Sequence, residues 1–131
     1  MLRLLKKLQK YNKIPIHIGR KSIQAIIADT WVKRMLGLMY FENLPINTCM
    51  LFIFGNESLH EIWMHGMLFS IDVLWIDSNM KIIDIQENLP PCKGINCKIY
   101  KPCKPSKYII ELEAGYIKKN KIKKGLPIHF E

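Results

Sequence analysis

Asp72 lies in the run Ile71-Asp72-Val73-Leu74-Trp75-Ile76, a carboxylate with apolar residues on both sides. Burying such a group costs several kcal/mol unless it is paired or hydrogen-bonded, so something must satisfy it. Arg34 could do so as an ion pair, or a loop could offer backbone N–H groups. The chemical alternative makes Asp72 a general base or ligand contact, with His65 of the same stretch as its acid. One Asp and one His make no triad, and the chain holds no G-x-S-x-G, H-E-x-x-H or phosphate-cradling glycine loop. No catalytic residue and no reaction are therefore assigned, and the residues leave an enzyme the less favoured class.

Cys92, Cys97 and Cys103 follow the spacing C-x4-C-x5-C. Neither gap is the C-x2-C pair of zinc knuckles, so zinc on these three thiols is an alternative that the spacing does not signal. A disulfide would pin the loop that carries them. Cys92 with Cys97 is the favoured pair, because Gly94 in the gap lets the chain turn back, leaving Cys103 free and Cys49 a buried inert thiol. Met64, His65 and Met67 offer soft ligands for Cu(I), but methionine in apolar strands is ordinarily core filler. No cofactor is expected.

The chain of 131 residues suits a single domain, and its 49% hydrophobic and 24% charged composition is that of an ordinary folded protein. Lys plus Arg number 20 against 11 Asp plus Glu, a net charge of +9, nearly all of it lysine. Lysine lacks the planar fork that reads phosphates or bases, so this excess favours non-specific attraction to polyanions, and a Lys and Ile bias also fits genome composition or heat adaptation. The densest run, Lys118, Lys119, Lys121, Lys123 and Lys124, has no arginine or aromatic interleaved to stack on bases. It reads as a solvated face and argues against a nucleic-acid partner. Residues 1–13 fit a basic amphipathic helix or extension, with leucines at 2, 4, 5 and 8. No secretory signal and no transmembrane span is legible, so the expected location is the cytoplasm.

The elements that must position these residues are mostly strands. Period-two alternation marks Ile14 to Ile18 and Ile23 to Ile27, and Pro15 argues that the first is an edge strand. Asp29 and Thr30 cap a short helix from Trp31 to about Leu38, with Trp31, Met35 and Leu38 along one face. Met50 to Phe54 is a fully apolar strand ended by a Gly55-Asn56 turn. Ile62 to Met64 and Ile71 to Ile76 follow, and Asp77-Ser78-Asn79 turns the chain into a returning strand from Lys81 to Ile85. Residues 88–106 hold four of the seven prolines and read as one long loop, pinned or functional, with Tyr100 packing across it. Tyr108, Ile110, Leu112 and Ala114 alternate with Glu111 and Glu113 on the other face, Gly115 ends that strand, and Pro127 to Phe130 is the last. No internal repeat is present.

Ala28-Asp29-Thr30, Arg34 with Gly37-Leu38-Met39, Met50 to Phe54, Trp63-Met64, Ile71-Asp72, and Tyr108 to Leu112 with Gly115 together resemble the prokaryotic DUF192 family over residues 14–130. The resemblance implies a mainly β fold for residues 14–131, an antiparallel β-sandwich or partly open barrel with one or two short helices, and no reaction. His65-Gly66 stands where that family more often has Asn-Thr, and Cys49 where it has Gly. Because the family-like residues converge on one stretch, the expected function is a small ligand-binding or interaction domain. Its site would hold a small molecule near Arg34, Trp63, Met64, His65 and Asp72. The alternatives are a metal- or thiol-dependent role of the Cys92 to Cys103 loop, and a small enzyme using Asp72 and His65.

Overall fold

The computed structural model describes residues 10–39 and 41–130. Residues 1–9, the body of the expected N-terminal helix, lie outside them, while residues 10–12 are irregular and Lys13 opens the first strand. The strands are β1 (Lys13–Ile18), β2 (Lys21–Ala28), β3 (Thr48–Ser58), β4 (Ile62–Trp63), β5 (Ile71–Ile76), β6 (Ile82–Leu89), β7 (Ile99–Tyr100), β8 (Ser106–Glu113) and β9 (Ile128–Phe130). Two short helices, α1 (Trp31–Leu36) and α2 (Tyr116–Lys119), interrupt them.

Seven strands form one curled sheet in the order β6-β5-β8-β3-β2-β1-β9, and β4 pairs with β7 apart from it. Pairing is antiparallel except between β2 and β3, which run parallel because residues 29–47, including α1, cross over between them. The two outer strands of the sheet meet at one end. Lys81 bridges Pro127, Gly125 N–H donates to Ile82 O at 2.8 Å, and Ile128 N–H donates to Met80 O at 2.8 Å. Of the two architectures expected, this is the partly open barrel.

Alternation along each strand sorts the core into two layers. Ile23, Ala25, Leu51, Leu74, Ile76, Ile110 and Leu112 fill the inside of the curl. Ala28, Met50, Phe52, Val73, Trp75 and Ile109 form an outer layer under α1 and the small sheet. A sheet covered on both faces needs continuous apolar strands, and all of β5 is buried.

Four local expectations are corrected. β1 is not an edge, since β9 pairs with Ile16 to Ile18; Pro15 lies just beyond that pairing, where no donor is required. β3 runs on through Gly55-Asn56 to Ser58 and absorbs the irregularity as a register shift between Ile53 and Ser58. Trp31 is 70% exposed rather than packed, and Leu36 and Leu38 take the buried side. The lysine-rich segment is only half solvated, because Tyr116, Ile117 and Ile122 enter the inner layer between its lysines.

Asp72 belongs to the inner face and is fully buried. Its Oδ1 accepts from Asn88 N–H at 2.9 Å, and its Oδ2 accepts from Gly115 N–H and Ile117 N–H, each at 3.0 Å. Backbone N–H groups at the end of β6 and the start of α2 satisfy it, and Arg34 does not. Helix α2 has no side-chain cap of its own, so Asp72 also serves two of its first donors from a distant strand. Replacing Asp72 by Ala would strand three N–H groups at once. Urea denaturation of Asp72→Ala is expected to show a loss of about 3 kcal/mol or more, and a loss under about 1 kcal/mol would contradict this role.

Candidate functional site

The outer layer is not closed everywhere. A groove of about 260 Å³ lies on it between α1 with the residues that follow and β4 with the turn after it. The first wall is the R-x-x-G-L-M segment. Thr30 caps α1 by accepting Lys33 N–H at 3.2 Å, and the helix stops at Gly37, whose φ of 51° and ψ of −136° suit only a residue without Cβ. A Cβ at Gly37 would lie 3.3 Å from the Phe52 ring, so the chain passes directly over the groove floor. Gly66 fixes the second wall in the same way: a Cβ there would stand 2.6 Å from Met39 Cγ.

Trp63 and His65 form the second wall, their rings stacked at 4.8 Å. His65 Nδ1 lies 2.8 Å from Gly94 O and 3.9 Å from Cys97 Sγ, and His65 bridges Cys92 along the backbone. Cys92 and Cys97 form the expected disulfide, with their Cα atoms 5.8 Å apart. The loop of residues 88–106 is thus tied to the groove wall. Its other anchors are the β4–β7 pair, in which Tyr100 faces Ile62, and Cys103 N–H donating to Asp84 Oδ2 at 2.7 Å. Cys103 is a free exposed thiol, and Cys49 is a free buried one whose pKa burial pushes up.

Phe52, Ile109 and Glu111 line the floor. Glu111 sits on β8 opposite Met50 of β3 and Val73 of β5, and it is 6% exposed. Its Oε1 is buried with no hydrogen-bond partner among the described residues. Burial raises its pKa to about 8, so at neutral pH it is mostly an uncharged carboxyl that can donate as well as accept. Arg34 stands at the side of the groove. Its Nη1 donates to Ile53 O at 3.1 Å, and its guanidinium lies 5.6 Å from the Phe54 ring centroid.

Arg34, Trp63 and His65 all line this groove. Two of the expected site residues do not. Met64 alternates away from Trp63 into the outer core and is 2% exposed, and Asp72 projects into the inside of the barrel. Asp72 and His65 consequently face different compartments, which removes the acid–base pairing considered from the sequence. The three-thiol metal set is likewise taken apart by the Cys92–Cys97 bond, and among the described residues no cluster of three or more His, Cys, Asp or Glu is placed to hold a metal. Glu111 was missed. The available signal was Ile109, which shares its face of β8 and marks that face as buried.

A model of the DUF192 family, described as an uncharacterized ACR, matches residues 14–130. A UPF0127 protein of Thermococcus kodakarensis is 33% identical over 104 residues, covering 76% of this chain and 59% of that protein. One of Pyrococcus horikoshii is 37% identical over 91 residues, covering 68% and 71%. The chain spans only 55% to 61% of the length of the first three such relatives. Among solved structures, a Sinorhizobium meliloti protein named as a candidate transcription regulator aligns with a TM-score of 0.86 at 28% identity, covering 93% of this chain and 96% of that one. A Novosphingobium aromaticivorans protein of unknown function aligns at 0.82 and 16% identity, covering 93% and 94%, which shows a shared fold.

The raised pKa of Glu111 makes stability depend on pH. Unfolding returns the group to its ordinary value of 4.5, so the stabilising difference is complete below that pH and is lost as pH rises toward about 8. Wild-type unfolding free energy, measured in urea, is expected to fall across this window in excess of what Glu111→Gln shows, at up to about 1.4 kcal/mol for each pH unit. Parallel profiles for the two proteins would contradict the assignment.

Proposed function

Since this chain belongs to the DUF192 family and gathers Arg34, Gly37, Leu38, Met39, Trp63 and His65 around one groove, we propose that it is a ligand-binding β domain. The groove holds a small molecule with an apolar body between the R-x-x-G-L-M wall and the Trp63–His65 wall. One observation carries this reading: the groove floor contains a buried carboxyl oxygen with no partner. Leaving such an atom unsatisfied costs about 1 to 3 kcal/mol, a cost that a purely structural strand avoids with an apolar residue. A ligand that hydrogen-bonds to Glu111 recovers it. The apolar surroundings of Phe52, Ile109 and Met67 supply the remaining affinity, as in most small-molecule sites.

The thiol-dependent alternative is absorbed into this reading, because the Cys92–Cys97 disulfide lies against His65 and braces the groove wall. No arrangement of residues in the groove supports a specific reaction.

A thermal-shift screen of small molecules tests the proposal. A ligand at a hundred times its dissociation constant is expected to add about 2.7 kcal/mol to wild-type stability. Trp63→Ala should lose most of that gain while folding normally, since Trp63 is 45% exposed. Failure of every molecule to stabilise the protein, or full stabilisation of Trp63→Ala, would contradict the groove as the site.

A further inference from the structure

We propose that the groove selects small organic acids, molecules with one carboxylate on an apolar body, and that Arg34 is the residue that engages the carboxylate. This rests on the ligand-binding reading above and names the chemical class of its ligand. The space available, about 260 Å³, is that of about nine water molecules at ~30 Å³ each, enough for an aromatic or short branched acid and too little for a nucleotide.

The charges in and around the groove decide the class. Arg34 is held by Ile53 O on one nitrogen and by the Phe54 ring face, which fixes the plane of its fork and leaves other N–H groups to donate. Among the described residues it has no carboxylate partner. Glu61, at the rim, is paired with Lys101 at 3.7 Å, and Glu111 is largely uncharged at neutral pH. A fixed guanidinium beside apolar surface, without an anion of its own, matches a carboxylate in bidentate geometry. A cationic ligand would meet Arg34 without a buried counter-charge. A phosphate dianion would place two charges against a single guanidinium, and an uncharged ligand would leave the guanidinium unpaired.

Glu111 completes the match. An ionised floor would repel a bound carboxylate, whereas a protonated one exerts no such repulsion and offers an O–H, and O–H···O⁻ bonds are among the stronger hydrogen bonds. Three titratable groups face Glu111 across the groove, Arg34 from α1 and Glu61 and His65 from the β4 side. Its strand neighbours Met50 and Val73 carry no charge.

The test is a matched series that shares one apolar body and differs in its head group: phenylacetate, phenylacetamide and phenethylamine. Each is titrated into the full chain near neutral pH, with the Trp63 indole and Phe52 amide followed by NMR. Phenylacetate is expected to bind at least roughly ten-fold more tightly than the other two. Arg34→Gln should reduce it to the level of the amide, and Arg34→Lys, which keeps the charge but loses the fork, should fall between. Raising the pH from about 7 to about 9 should weaken phenylacetate binding to the wild type and leave binding to Glu111→Gln unchanged. If the amide or the amine binds as tightly as the acid at these residues, the acid class is overturned and the groove stands. If none of the three perturbs the groove while a molecule without a carboxylate from the thermal-shift screen does, the class is overturned in the same way. If nothing perturbs it, both readings fall.

Discussion

β5 and β8 are packed on both faces, and a strand in that position can keep a carboxylate only if something other than water satisfies it. The two buried carboxylates of this central pair are treated in opposite ways. Asp72, on the inner face, takes three backbone N–H groups from the end of β6 and from the turn that enters α2. It ties the end of β6 and the start of α2 to the start of β5. Register then places Val73 opposite Glu111, so the next residue along β5 faces the other way and packs beside a carboxyl oxygen that has no partner among the described residues.

The two walls of the groove above Glu111 approach closely at glycines. Gly37 ends α1 in a conformation that lets the chain cross Phe52 at close range, and Gly66 lets Met39 come up against the opposite wall. The β4 side is held by the two-residue pairing of β4 with β7, the backbone bridge between His65 and Cys92 and the hydrogen bond from Trp75 Nε1 to His60 O. The Cys92–Cys97 disulfide adds to these. Closing a short loop of this kind contributes roughly 2 to 3 kcal/mol, and here it acts where Gly94 O and Cys97 Sγ contact His65.

Much of this was legible in the sequence, for reasons that differ from residue to residue. Alternation placed β1, β2 and β8 to within a residue or two, and the apolar run around Asp72 announced a buried strand and a carboxylate in need of hydrogen-bond donors. Gly94 pointed to the correct disulfide. Arg34, Trp63, Met64 and Asp72 were grouped from motif resemblance, and His65 by its place in the same stretch, where it departs from the family pattern. Arg34, Trp63 and His65 line the groove, and strand alternation turns Met64 and Asp72 away from it. Glu111 was hidden for a related reason: a glutamate alternating with inward-facing residues reads as solvent-facing unless the second face of the sheet is also known to be covered. That cover comes from residues 36–39 and the β4–β7 pair, far away in the chain. The edge position assigned to Pro15 failed similarly, because β9 arrives from the other end of the sequence to pair beside it.

The central claim is that the groove floor carries a carboxyl that burial keeps uncharged at neutral pH. Titrating the side-chain carboxyl carbon of Glu111 by NMR in glutamate-labelled protein, with Glu111→Gln supplying the assignment, measures this directly. The midpoint is expected at about 8. A midpoint at the ordinary value of 4.5 would show that Glu111 is ionised under the groove and would contradict the claim.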